Sequence, residues 1–114
     1  MSYTSYAQIN ALEEISFIAG TYYTIEFKVY NQAGDEANLS GSTCTWKMSP
    51  YGEPNIVTLS LNGTITGTNT FEVYLLSSAT LNLSGKYVHQ PIITDGTKIY
   101  RPQQGVINII PANV

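Results

Sequence analysis

Charge is scarce in this sequence: Asp, Glu, Lys and Arg together make up 11% of its 114 residues, against roughly 25% in typical soluble domains. Ser, Thr, Asn, Gln and Tyr must therefore cover much of the surface, which suits contacts within an assembly. The five Lys and Arg are scattered among eight Asp and Glu, for a formal net charge of -3. Phosphate recognition needs clustered cations, so no nucleic-acid partner is expected. A single cysteine, Cys44, excludes an intrachain disulfide, including the pairing that joins the two sheets of antibody domains. The single histidine, His89, leaves a zinc site short of ligands and any catalytic triad without alternatives. No apolar run approaches the roughly 20 residues of a membrane span, and no membrane partner is expected. The opening MSYTSYAQIN has neither the basic start nor the apolar stretch of a signal peptide, so the protein is expected to be made in the cytoplasm. The sequons at Asn38, Asn62 and Asn82 are then by-products of a composition rich in Asn, Ser and Thr.

Catalytic signatures are missing as well. There is no phosphate loop, dinucleotide fingerprint or nucleophile elbow. The adjacent acids Glu13-Glu14 and Asp35-Glu36 would point to opposite faces of a strand and read as solvated edges and turns rather than as a carboxylate pair. Cys44 alternates with Trp46 and Met48 on an inward face, where a thiol is a small hydrophobe. His89 reads as structural. The expectation is a protein with no catalytic residue, no cofactor and no metal.

What the chain does contain is period-two alternation. A first strand spans residues 12–18, and residues 21–30 follow with Tyr23, Ile25, Phe27 and Val29 facing inward. Leu39 is expected to tuck in from a polar segment. Residues 43–48 place Cys44, Trp46 and Met48 inside, and in residues 57–61 Val57, Leu59 and Leu61 alternate with Thr58 and Ser60. Asn62-Gly63 between apolar runs signals a hairpin. Residues 70–75, 86–94 and 99–110 supply the remaining strands, with Pro91 marking an edge or bulge and Asp95-Gly96 a turn. The count is seven or eight strands with no convincing helix. The domain is assigned to residues 12–114, preceded by an arm at residues 1–11 that shows no sustained periodicity.

Residues 70–87, TFEVYLLSSATLNLSGKY, organise the rest. A strand runs into a corner of Ser77, Ser78, Thr80, Asn82 and Ser84, all able to bond nearby backbone, with Leu81 and Leu83 as apolar pegs. Gly85 opens the exit, and the Tyr87 hydroxyl is placed to bond back to the corner. That is the logic of a tyrosine corner, which carries a chain from one sheet to the other. Trp46 is expected in the core against Tyr23, Phe27 and Phe71.

Tyrosine is the one excess with a functional reading, nine residues in all, because its amphipathic ring gives contact area at modest entropic cost. Tyr3, Tyr6, Tyr22, Tyr30, Tyr51 and Tyr74 are placed outward or on loops, and Tyr23 and Tyr87 inward. Tyr3, Tyr6 and Ile9 on the arm, with Tyr22, Tyr30 and Tyr74 on a sheet face, are the candidate partner-binding residues. The competing reading is that exposed tyrosines simply populate strands.

The succession FIAGTYYTIEFKVYNQAGDEANLSG, TCTWKM, TFEVYLLSSATLNLSGKYVHQPIITDG and GVINI resembles the small immunoglobulin-like domains of tailed-phage virion proteins, such as the N-terminal domain of baseplate upper proteins. The matching elements are Gly34, Asp35, Leu39 and Gly41 before the strand at residues 43–48, and the corner residues Thr80, Leu83, Gly85 and Tyr87, with spacing altered by a residue or so. The resemblance covers about residues 17–110. It implies an all-β, immunoglobulin-like sandwich of antiparallel strands that binds other virion subunits, located in the virion and present in many copies. Because the sequence ends four residues after the last strand, it looks more like a capsid auxiliary or decoration protein than the start of a longer baseplate chain. A tail or baseplate adaptor is the first alternative. A carbohydrate- or receptor-binding module exposing Tyr51 and Tyr100 is the second.

Overall fold

The structure, a computed structural model, describes residues 8–9, 14–31 and 34–113. In chain order its strands are β1 (Gln8–Ile9), β2 (Ile15–Ile18), β3 (Tyr23–Tyr30), β4 (Thr43–Pro50), β5 (Leu59–Asn62), β6 (Thr64–Ile65), β7 (Thr70–Leu75), β8 (Gly85–Asp95), β9 (Lys98–Tyr100) and β10 (Gly105–Ile110), with one turn of helix, α1 (Ser77–Thr80), before β8. The fold is all-β, with two sheets packed together. One sheet runs β1-β3-β7-β6; the other runs β2-β10-β8-β4-β5, with β9 added to β8. Pairing is antiparallel except between β2 and β10, which are parallel. Ten strands among the described residues exceed the seven or eight expected, because β1, β6 and β9 are two or three residues long and carry too little alternation to register in a sequence.

The inward rows are those the alternation marks. Ile25, Phe27 and Val29 of β3, Cys44, Trp46 and Met48 of β4, Phe71, Val73 and Leu75 of β7, and Ile107 and Ile109 of β10 are buried, and Leu39 joins them from its loop. Phe27 stacks on Phe71 with ring centroids 4.9 Å apart. Trp46 is fully enclosed, and the ring beside it is His89, at 5.9 Å. Tyr23 stacks instead on Phe17 at 5.0 Å, away from the expected Trp46 cluster.

Two local expectations are corrected, and the local edge expected at Pro91 is found inside an unbroken strand. Asn62-Gly63 is no hairpin turn: β5 pairs with β4 and β6 with β7, so the chain crosses between sheets there. Gly63 is required by space, since a Cβ would lie 2.7 Å from Phe71 Cδ2 and 3.2 Å from Cys44 Cβ, while its N–H donates to the Cys44 carbonyl at 2.8 Å. Pro91 does not interrupt β8, which runs unbroken between β4 and β10. On one edge, pairing with β10 ends at His89 and pairing with β9 begins at Ile93; Pro91 lies in that gap, a local edge where a missing N–H is tolerated. Finally, the corner includes the helical turn α1, and its buried peg is Thr80 rather than Leu81, which is exposed. Leu83 packs against the core as expected.

The tyrosine corner is present. Tyr87 is buried and its hydroxyl donates to the Ser84 carbonyl at 3.1 Å. Gly85 turns the chain at φ 103°, a conformation that side chains rarely adopt. Thr80 Oγ1 accepts the Gly20 N–H at 3.0 Å, tying the corner to the loop before β3.

Candidate functional site

At the corner end the β7–α1–β8 turn meets the loop between β2 and β3 and the end of β10. The parallel pairing sets Ile18 beside Ile110. The register Tyr23 to Leu75 brings Tyr22 next to Leu76, and Leu81 lies over Gly20. Ile18, Tyr22, Leu76, Leu81 and Ile110 are each about half exposed, between 49% and 58%. They form an apolar rim whose trace in the sequence is interrupted alternation: Ile18 and Ile110 are each out of phase with a buried neighbour, Phe17 and Ile109. That mismatch was the available sequence signal.

On the outer face of the six-stranded sheet a cleft of about 510 Å3 opens beside the loop at residues 50–57. Lys47 pairs with Gln90 across β4 and β8, and the register Gly105 to His89 brings Gln104 alongside the same row. Ser49 and Val88 form the next row, and Tyr51 stands at the edge. The Tyr51 N–H donates to the Lys86 carbonyl at 3.0 Å, and Lys86 Nζ stands 4.7 Å from the centre of the Tyr51 ring, so the ring is held at both its backbone and its face. Lys47, Gln90 and Gln104 are far apart in sequence, and only the strand register brings them together.

Inside, the Trp46 indole N–H donates to His89 Nδ1 at 3.0 Å. An indole nitrogen can only donate, so Nδ1 is the acceptor and the imidazole proton resides on Nε2. Nε2 is buried and has no hydrogen-bond partner. Burial pushes His89 down from 6.5 to about 4, and the Trp46 donor facing Nδ1 opposes the charged form as well. Cys44 is buried and its thiol is pushed up to about 11 by burial, far from the thiolate range a nucleophile needs. Among the described residues no cluster of three or more His, Cys, Asp or Glu could hold a metal, and no helix is long and apolar enough to cross a membrane.

The candidate partner-binding residues are not one patch. Tyr3 and Tyr6 lie outside the described residues. The backbone of Ile9 forms β1 with Gln8, antiparallel to the end of β3, so these two arm residues belong to a sheet edge. Tyr22 is exposed and Tyr74 half-buried, and the pairing of β3 with β7 sets these two near each other at the corner end. The Tyr74 hydroxyl donates to Glu72 Oε1 at 2.7 Å, and that bond raises its pKa. Tyr30 is half-buried at the opposite end of β3, paired with Gln8; eight residues of strand separate it from Tyr22, about 26 Å. Tyr51 and Tyr100 are likewise separated: Tyr51 follows the end of β4 beside Lys86, whereas Tyr100 pairs with Ile93 toward the other end of β8 and packs on the core. They cannot form one stacking platform.

No family model matches the chain, and no curated protein matches it. Among solved structures, the chain is similar to part of an endo-beta-1,4-mannanase from Thermotoga petrophila, at 7% sequence identity and a TM-score of 0.59, over 92% of this chain and 19% of that one. The chain thus spans about a fifth of that protein's length, and at this identity the likeness shows the fold alone.

Proposed function

We propose that this chain is an immunoglobulin-like structural module of a tailed-phage virion, a capsid auxiliary or decoration protein that binds other virion subunits in many copies. The strand order supports the immunoglobulin-like reading. With β1, β3, β7 and β6 taken as strands A, B, E and D, and β10, β8, β4 and β5 as G, F, C and C′, the sheets follow that plan, with a Trp on strand C and a tyrosine corner before strand F. The virion role rests on the sequence resemblance. A binding rather than a catalytic role is favoured by the enclosure of both Cys44 and His89.

The observation that carries the attachment reading is the apolar rim of Ile18, Tyr22, Leu76, Leu81 and Ile110. Five of the ten exposed large apolar side chains among the described residues belong to this rim, and on a charge-poor chain such side chains are the composition of an interface core. The arm at residues 1–11, with Tyr3, Tyr6 and Ile9, is the second proposed contact. Its weak individual contacts would gain from repetition on a symmetric particle.

The test is co-sedimentation of purified protein with particles lacking it. The double variant Leu76→Glu, Leu81→Glu alters exposed positions only, so its unfolding transition should stay near that of the parent while its incorporation into heads falls by about tenfold or more. A chain lacking residues 1–11 should show a smaller loss. Normal incorporation of the double variant would remove the rim from the attachment surface, and binding to tails but not heads would overturn the capsid assignment.

A further inference from the structure

The cleft on the outer sheet face shares no lining residue with the apolar rim, and what is inferred from it is independent of the virion reading. Its volume of about 510 Å3 is in the range of small-molecule sites. Its walls divide by chemistry. Lys47 and Gln90 are paired across β4 and β8, so the sheet spaces their polar groups, and Gln104 joins them from the residue just before β10. Val88 and the prolines of the adjoining loop supply apolar surface, and Tyr51, fixed by Lys86, supplies an aromatic edge.

We propose that this cleft binds a saccharide that carries a carboxylate. The two amide side chains each offer a donor pair and an acceptor, the complement of adjacent sugar hydroxyls. The ring of Tyr51 and the aliphatic floor suit the apolar faces of a pyranose, which presents both polar edges and C–H faces. No carboxylate lines the cleft, whereas an ammonium does. The one formal charge in the lining is therefore positive, and it is matched by an acceptor-rich, anionic group. Lys47, a compact point charge on a flexible stem, is the residue that selects the acid. Gln90 and Gln104 hold the hydroxyls, and Tyr51 sets the ring's position.

The experiment is an NMR titration of the isotopically labelled full chain with three probes: trigalacturonic acid, 3′-sialyllactose, and lactose as the neutral counterpart of the second. The expected result is saturable movement of the Gln90 and Gln104 side-chain amides and of the Tyr51 backbone amide with at least one acidic probe in the millimolar range. Lactose should bind at least about tenfold more weakly than 3′-sialyllactose if the latter is the ligand, a difference of about 1.4 kcal/mol. Gln90→Ala should weaken the acidic probe about tenfold, and Lys47→Gln should abolish the preference for acid over neutral sugar. Both positions are on the outer face, and an unchanged unfolding transition would certify each variant. Absence of saturable shifts with both acidic probes, shifts confined to other residues, or a preference that survives Lys47→Gln would each overturn the proposal. So would binding of a proline-rich peptide at the same amides with no saccharide binding, which would make the cleft a peptide groove.

Discussion

Asn62-Gly63 and residues 76–84 are two of the places where the chain crosses between its sheets, and they are held in different ways. The second is fastened by side-chain hydrogen bonds. Tyr87 reaches back to Ser84, and Thr80 accepts from Gly20. The first has one backbone bond, Gly63 N–H to the Cys44 carbonyl, and otherwise depends on fit, with Gly63 against Phe71 and Cys44. A crossing held by bonds shows itself in sequence, because the bonding residues must be particular residues at particular spacings. A crossing held by fit does not, because the glycine that fits is also the glycine of a hairpin.

If that distinction is sound, damage to the core should act most strongly. Trp46 lies in β4 opposite Leu61, just before the fitted crossing, and is fully buried. Trp46→Ala should cost roughly 3–5 kcal/mol, leave His89 Nδ1 without its donor, and consume much of the stability of a small domain. Chemical denaturation measures it, and a loss below about 1 kcal/mol would contradict the enclosed position.

Acid attacks the same core from within. The folded-state pKa of His89, about 4, lies below its ordinary 6.5. Between those values the unfolded chain binds the proton and the folded chain does not. The contribution is therefore complete above pH 6.5 and is lost as pH falls toward 4, amounting to about 3 kcal/mol at most. Carboxylates titrate in the lower part of this window, so the comparison is with His89→Gln, whose amide does not titrate and whose oxygen can still accept from Trp46. The difference in unfolding free energy between the two proteins should change by that amount from pH 7 to pH 4. A flat difference would mean that His89 titrates alike in the folded and unfolded chains, contrary to its enclosed position.

Gly63→Ala isolates the fitted crossing. The added Cβ would stand 2.7 Å from the Phe71 ring and 3.3 Å from the Cys44 carbonyl oxygen, and backbone cannot retreat as a side chain can. Overpacking of this kind costs about 1–3 kcal/mol. Adding Phe71→Leu should recover part of it, because the two changes share one contact and are not independent. Strict additivity would place the cost elsewhere.

Much of the fold could be read from residues whose pattern has one structural meaning. The inward rows of β3, β4 and β7, the inward Leu39, and the bond from Tyr87 to its corner all follow from alternation and local hydrogen-bonding chemistry. Where one signal serves two structures, the reading failed. Asn-Gly serves a hairpin or a crossing, and Leu81 in a polar turn serves a peg or an exposed rim. The candidate site was less legible still. Tyrosine count indicates contact surface but not its grouping, and Tyr22, just before β3, and Tyr30, its last residue, lie at opposite ends of that strand. The row of Lys47, Gln90 and Gln104 depends on which strands are neighbours and in what register, a long-range property that no local pattern contains.

The bonded crossing should yield the smallest effect, and its size tests the comparison most finely. Tyr87→Phe keeps the buried ring and deletes one hydroxyl, so packing is preserved and only the bond to Ser84 is lost. Were that carbonyl sealed from water, leaving it unpaired would cost about 1–3 kcal/mol. Ser84 is exposed, however, and its carbonyl can turn to solvent, which places the expected loss near 1 kcal/mol. Thr80 provides the contrast within the same corner: it is fully buried, and Thr80→Val would strand the Gly20 N–H that it accepts, so its loss should exceed that of Tyr87→Phe. Denaturant unfolding of both variants decides the order. If Tyr87→Phe proves the costlier, the corner depends on its surface bond more than on its buried one, and the tyrosine itself becomes the fastening without which the crossing does not close.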